Sequence, residues 1–146
     1  MRNLFMILVF GFCFAATMPL FAEVPTRNLT IYKNPQCECC EAYADYLREN
    51  HFTVTVKETH SLVNMGLEAG VPEDFQGCHL GFIDGYLISG HVPVNIVNQM
   101  LDERPNIKGV TLPGMPEGAP GMNGIKTEPF VIYGISKNTL RVYAIE

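Results

Sequence analysis

Three cysteines fall within four positions, in Cys37-Glu38-Cys39-Cys40, and a fourth, Cys78, follows at a distance. Thiolates are soft ligands that select Cu(I), zinc or iron–sulfur clusters. The motif stands where a helix is expected to begin, and the free N–H groups and dipole of a helix N-terminus favour thiolate over thiol. Three thiolates so close repel one another unless cations or protons intervene. A thiolate can bridge two metals, so the crowding suits a multinuclear site better than a single tetrahedral one. Cys37 and Cys40 also keep the two-residue spacing of dithiol–disulfide exchange, which leaves a thiol redox enzyme as an alternative. A structural staple fits less well. Neighbours such as Cys39 and Cys40 would close a strained ring, so the one good bridge expected is long-range, to Cys78, with two thiols left over. Four inert, buried thiols are the remaining alternative.

Further donors stand close to this set in type, if not in sequence. His79 adjoins Cys78 and reads equally as a ligand or as a hydrogen-bonding neighbour. His91 lies in Gly90-His91-Val92-Pro93, a turn where a lone histidine is first a cap and second a ligand. His51 and His60 have no supporting context and are expected at the surface. Met115 and Met122 sit in Pro113-Gly114-Met115-Pro116-Glu117-Gly118-Ala119-Pro120-Gly121-Met122, which cannot form an apolar helical stripe. A thioether suits Cu(I) and suits zinc poorly. Packing of either methionine against the domain is the alternative.

The elements that must position these residues follow from pattern. Leu29-Thr30-Ile31-Tyr32 and Phe52–Val56 alternate and are β-prone, and between them a helix is expected with Ala42, Tyr43, Tyr46 and Leu47 along one face. Ser61 can cap a short helix through Ala69, with Gly70 ending it. Gly81–Ile83 and Tyr86–Ile88 flank Asp84-Gly85, a strong hairpin signal. Pro93 suits the first turn of a helix whose stripe is Ile96, Val97, Met100 and Leu101, and Pro105 ends it. Residues 105–129 are rich in Gly and Pro without apolar periodicity, a length that is functional or disordered in a small domain. Two strands, 130–135 and 140–145, close the chain. The class is therefore α/β. The order strand, helix, strand, helix, hairpin, helix predicts a thioredoxin-like domain over 23–105, with an extension over 106–146 that contributes to the metal site. In that plan the loop before the hairpin faces the cysteine motif and brings Cys78 opposite it.

The 146 residues carry a net charge of −5. Arg2 and the apolar run Leu4–Phe21, ending at Pro19 and the small Ala22, have the layout of a secretory signal peptide cleaved near Ala22. A membrane-spanning helix is the alternative to cleavage; a lipid anchor on Cys13 is disfavoured by the bulky Phe12 before it. Removing residues 1–22 takes away Arg2 and leaves a more acidic chain with no membrane segment. No concentration of Lys and Arg is present to neutralise phosphates, which excludes nucleic acid and anionic membrane surfaces as partners. No Ser/His/Asp or paired-carboxylate pattern supports hydrolysis.

Taken together, these segments resemble the CopG-type periplasmic copper-resistance proteins. The resemblance runs through Tyr32-Lys33-Asn34-Pro35-Gln36-Cys37-Glu38-Cys39-Cys40, Cys78-His79, Asp84-Gly85-Tyr86, Gly90-His91-Val92-Pro93 and Leu112-Pro113-Gly114-Met115-Pro116, to Pro120-Gly121-Met122. It implies a thioredoxin-like domain whose extension helps to bind metal, a cysteine-bridged cluster of several copper ions, and a role in interconverting Cu(I) and Cu(II). Carried over, it makes Cys37, Cys39, Cys40 and Cys78 the thiolate set, with catalytic as well as ligand roles. His79, His91, Met115 and Met122 become further ligands. Leu80 stands where a small polar residue is expected, and Ala119 replaces a usual serine; neither removes a candidate ligand. Copper ions are thus the expected partners, along with periplasmic copper efflux or carrier proteins, and the chain is expected to be a monomer. A non-catalytic copper carrier is the second reading, and a thioredoxin-class thiol–disulfide oxidoreductase the third.

Overall fold

The computed structural model describes residues 26–137 and 139–146. The expected signal peptide, with Cys13 and the cleavage point at Ala22, lies outside the described residues. No helix among the described residues is long and apolar enough to cross a membrane.

Among the described residues the fold is a mixed α/β structure of seven strands and three helices. In chain order these are β1 (Arg27–Lys33), α1 (Glu38–Glu49), β2 (Phe52–Glu58), α2 (Leu62–Ala69), β3 (His79–Ile83), β4 (Tyr86–Ser89), α3 (Val94–Glu103), β5 (Gly109–Thr111), β6 (Val131–Ile135) and β7 (Leu140–Ile145), with a 3-10 turn over Glu73–Phe75. One sheet holds every strand, in the order β2-β1-β3-β4-β5-β6-β7. β1 runs parallel to β2 and antiparallel to β3, while β4 runs parallel to β5.

Strand alternation sends side chains to two faces, and here both faces are covered. Leu29, Ile31, Ile83, Ile88 and Ile132 pack with Tyr43 and Leu47 of α1 and with Val97 and Met100 of α3. The opposite parity, Leu80, Leu87 and Ile135, packs with Leu62 from α2, and Tyr32 and Phe75 join them. The stripe expected on α3 is buried throughout. On α1 the buried stripe is Cys40, Tyr43, Ala44 and Leu47; Ala42, expected inward, faces out, because a 3.6-residue period places 40, 43, 44 and 47 on one side.

Asp84 and Gly85 both take positive φ, 48° and 85°, as a two-residue hairpin turn between right-twisted strands requires. β3 begins earlier than expected, at His79, so this histidine belongs to a strand. The larger departure is β5. It lies in the stretch expected to be without structure, yet its three residues are buried and pair with both β4 and β6. A Cβ at Gly109 would stand 1.9 Å from the Leu87 carbonyl oxygen, so the glycine that weakens the strand signal is what lets β5 join the sheet.

Candidate metal centre

The site is built from three separated stretches that meet at the ends of β1 and β3 and the start of α1. Cys37 precedes the first turn of α1 in an extended conformation, its N–H donating to the Asn34 carbonyl at 3.0 Å. That turn carries Cys39 and Cys40 on its two sides. Cys78 immediately precedes β3, and its Sγ lies 3.4 Å from Cys40 Sγ and 3.6 Å from Cys39 Sγ. Cys37 Sγ is 3.5 Å from Cys39 Sγ. The four sulfurs expected to converge therefore lie within 4.8 Å of one another.

Cys37 and Cys40 are joined as a disulfide, leaving Cys39 and Cys78 as thiols. This corrects the expectation that a good bridge would run only to Cys78. One helical turn brings residues i and i+3 to the same side, here with Cα atoms 5.4 Å apart, inside the range a disulfide accepts.

Glycine sets the approach of Cys78 to His91. A Cβ at Gly77 would sit 2.2 Å from Gly90 Cα, and one at Gly90 would sit 2.3 Å from the Leu112 carbonyl oxygen. Three backbones thus touch beneath the site, and no residue with a side chain fits between them. Gly90 also has φ +75°, a conformation costly for any other residue. The consequence is that His91, fully buried, brings Nε2 to 3.0 Å from Cys78 Sγ.

The Gly/Pro-rich segment fixes this ring. His91 Nδ1 lies 2.6 Å from the Pro120 carbonyl oxygen. An oxygen of that kind only accepts, so Nδ1 carries the proton and Nε2 turns its lone pair on Cys78. Gly121 follows, and a Cβ there would meet the Tyr43 nitrogen of α1 at 2.6 Å. The segment lies directly on the α1 backbone at this point.

His79, 1 % exposed, presents Nδ1 to Cys78 Sγ at 3.6 Å. Its Nε2 is buried without a hydrogen-bond partner among the described residues, an unusual state for a polar atom. Tyr43 stacks on His79 at 4.6 Å and meets His91 edge-on at 5.1 Å, while its hydroxyl donates to the Val92 carbonyl. Burial, followed by the neighbouring His91, lowers the His79 pKa to about 3; burial lowers that of His91 as well. Both rings are therefore neutral and free to offer a lone pair. Burial pushes the Cys78 thiol up to about 12, and the neighbouring Cys39 adds to the shift. With no cation present, the cluster holds Cys78 protonated.

Cys78, His79 and His91 form a second group of donor atoms within 4.8 Å of one another, sharing Cys78 with the four-sulfur set. Soft sulfur and imidazole suit copper and zinc. The buried imidazoles that turn Nδ1 of His79 and Nε2 of His91 on the shared Cys78 sulfur fit metal better than they fit a metal-free core.

The methionines divide. Met122 packs against the core and lines an open depression with Cys39, Glu38, Ala42, Glu117 and Gly121. Met115, 43 % exposed, does not line that depression. His51 and His60 are exposed, as expected.

Two contributors were missed by sequence reasoning. Tyr43 was read as core alone. Lys33, with only 2 % of its surface exposed, ends β1 on the face of Leu29 and Ile31 and pairs in register with His79. Its Nζ donates to the carbonyls of Asn34 and Pro35 at 3.3 and 3.2 Å and lies 3.1 Å from the Glu41 carboxylate. The alternation Leu29, Ile31, Lys33 was the signal, since it places the lysine inward.

A family profile described as "Protein of unknown function, DUF411" matches residues 75–122, which hold Cys78, both buried histidines and the two candidate methionines Met115 and Met122. No curated protein matches the chain. Two solved structures do, described as "Copper resistance protein copG", Form 2 and Form 1. Both are 30% identical in sequence; they superpose with TM-scores of 0.77 and 0.76, covering 84% of this chain and 99% and 98% of theirs. The resemblance read from the cysteine motif and the extension is thus shown over nearly the whole of the matched proteins, and the chain belongs to the CopG family of copper-resistance proteins.

Proposed function

We propose that this chain is a periplasmic copper-binding protein of copper resistance and that it works as an oxidoreductase between Cu(I) and Cu(II). The observation that carries the proposal is the sharing of Cys78 between a four-sulfur group and a sulfur–diimidazole group, in a chain similar to proteins titled copper resistance proteins. Copper is the substrate and supplies the one-electron chemistry. Cys37, Cys39, Cys40 and Cys78 offer the thiolates that favour Cu(I), once the Cys37–Cys40 bridge is reduced. His79 and His91 offer imidazole, which Cu(II) also accepts. Met122 borders Cys39 at the open side, and Met115, further out on the same segment, completes the donor set. With a bridging thiolate shared by both groups, the ligands favour a multinuclear cluster over separate ions.

The remaining features of the chain fit the same reading. The sheet order β2-β1-β3-β4, with α1 leaving from the cysteine motif, supports a thioredoxin-like domain up to 105, extended by 106–146. Residues 1–22 would be the export signal, and the mature chain a monomer that exchanges copper with periplasmic efflux or carrier proteins.

The Cys37–Cys40 disulfide favours a second reading, a thiol–disulfide oxidoreductase for which copper is dispensable. Metal content with optical and EPR spectra, on the mature chain reduced and then loaded with copper without added thiol, decides between them. Several coppers per chain, with thiolate charge-transfer bands that change reversibly on reduction, and a sharp fall in stoichiometry in Cys39→Ser, are expected. One spectroscopically silent Cu(I) points to a carrier, and no retained copper to the thiol enzyme.

A further inference from the structure

Lys33 is the buried charge that copper binding does not use. Lysine is almost never fully buried unless paired, because taking an ammonium from water is costly. A methionine of similar length would fill the same place without that cost. The three partners of Lys33 show what the charge is attached to. Two are the carbonyls of Asn34 and Pro35, in the turn that leads into Cys37, and the third is Glu41, in the first turn of α1. The Asn34 carbonyl that accepts from Lys33 also accepts from the Cys37 N–H. Lys33 therefore grips the cysteine motif from both ends, through the turn before it and the residue after it. Its own carbonyl is tied as well, accepting from the Thr59 N–H at 2.8 Å.

Among the three partners only Glu41 is charged, and its side chain is half exposed, so water weakens its hold on the ammonium. Lys33 is thus a buried positive charge at the base of the cysteine motif, set against the acids Glu38 and Glu41 of the first turn of α1. Its natural complement is the negative charge of reduced sulfur, which the Cys37–Cys40 bridge lacks and the open pair gains.

We propose that Lys33 is a positioning residue that sets the redox poise of the cysteine motif: it fixes the turn presenting Cys37, and its charge favours the reduced, metal-receptive sulfurs over the disulfide. The role deepens the copper reading and rests on it for its purpose, but its effect is present before any metal is. In the step concerned, a dithiol reductant gives two electrons and one proton to the Cys37–Cys40 bridge, leaving one thiolate and one thiol; it releases its second proton to solvent and leaves as its own disulfide.

The test is the equilibrium of that exchange in the metal-free mature protein, measured against dithiothreitol by trapping free thiols. Lys33→Met is expected to shift the exchange about tenfold towards the protein disulfide, which lowers the reduction potential by about 30 mV for a two-electron couple. Lys33→Arg, which keeps the charge, is expected to stay within about threefold of wild type. Glu41→Gln, which removes the opposing charge, is expected to move the equilibrium the other way, towards dithiol. Circular dichroism of each variant checks folding; if Lys33→Met does not fold, Lys33→Arg and Glu41→Gln still decide. A Glu41→Gln shift towards the disulfide would mean that Lys33 acts only as a mechanical tie, and would overturn the proposal. So would an unchanged equilibrium in folded Lys33→Met. Copper retention is measured separately on the reduced proteins: a wild type that keeps no copper while the thiol shifts appear as described would sink the copper reading and leave the role of Lys33 standing.

Discussion

A neutral imidazole in a dry place is a store of acid sensitivity. His79 has an ordinary pKa of 6.5 and a folded value of about 3, so below the first value the unfolded chain takes up a proton that the fold refuses. The stability owed to this ring is present in full above pH 6.5 and is lost as pH falls towards 3. For one such group the loss between pH 7 and 5 is about 2 kcal/mol, and His91 is shifted in the same direction. Urea unfolding of the metal-free mature protein at those two pH values should show that loss, and His79→Gln should remove most of it. Equal pH dependence in the variant would mean that the ring is protonated or solvated in the fold. The same neutrality makes the residue a donor of electrons, so acid lability and ligand capacity have one origin.

At the scale of elements, the site depends on backbones that touch where side chains would keep them apart. Gly77 is the clearest case, because the atom its missing Cβ would strike belongs to the Gly90 backbone and cannot rotate away. Gly77→Ala should cost about 1–3 kcal/mol or more, as overpacking does, and should lower copper retention by parting Cys78 from His91. Gly134→Ala is the control, since its Cβ would meet only ordinary contacts at 3.5 Å and beyond. Thermal unfolding and metal content of the two variants compare them directly. These contacts explain what could be read beforehand and what could not. The Asp84-Gly85 turn, the α3 stripe and the β1 alternation are local patterns, each legible within a few residues. β5 is not local: Gly109-Val110-Thr111 is a strand only because Leu87–Ser89 and Tyr133–Ile135 lie on its two sides. The candidate ligands were legible by type, and the meeting of Cys78 with the α1 motif by analogy of plan. The Cys37–Cys40 pairing, the Pro120 carbonyl behind His91 and the inward Lys33 needed the path of the chain, because each depends on where a backbone atom or a helical turn lies.

For the molecule as a whole, the segment after Pro105 is more than an arm laid over a finished domain. β5 and β6 continue the sheet, and Leu112, Phe130 and Ile132 are buried in the main core, with Ile135 on the other face. Burying four such side chains is worth about 6–12 kcal/mol at roughly 1.5–3 kcal/mol each, an upper estimate that is still comparable to the whole stability of a small domain. A chain ending at Pro105 should therefore fail to reach a fixed tertiary structure, seen as loss of near-ultraviolet circular dichroism and of dispersed amide resonances. A well-dispersed spectrum from that fragment would show that residues 23–105 fold alone and that the extension is an addition.

The hydrogen bond from His91 to Pro120 gives the metal centre a further property. Cys40 is rooted in a helix, Cys78 at the head of a strand and His91 in a turn, and the ring is steadied from beyond the third helix. An ion gripped by all of them would act as a further cross-link between parts of the chain that are far apart in sequence. Any species that binds the native state at a hundred times its dissociation constant adds about 2.7 kcal/mol to stability. If copper is that ion, as proposed, cargo and keystone are the same atom: a chain that gave it up would also loosen, and its resistance to proteolysis would record how much it carries.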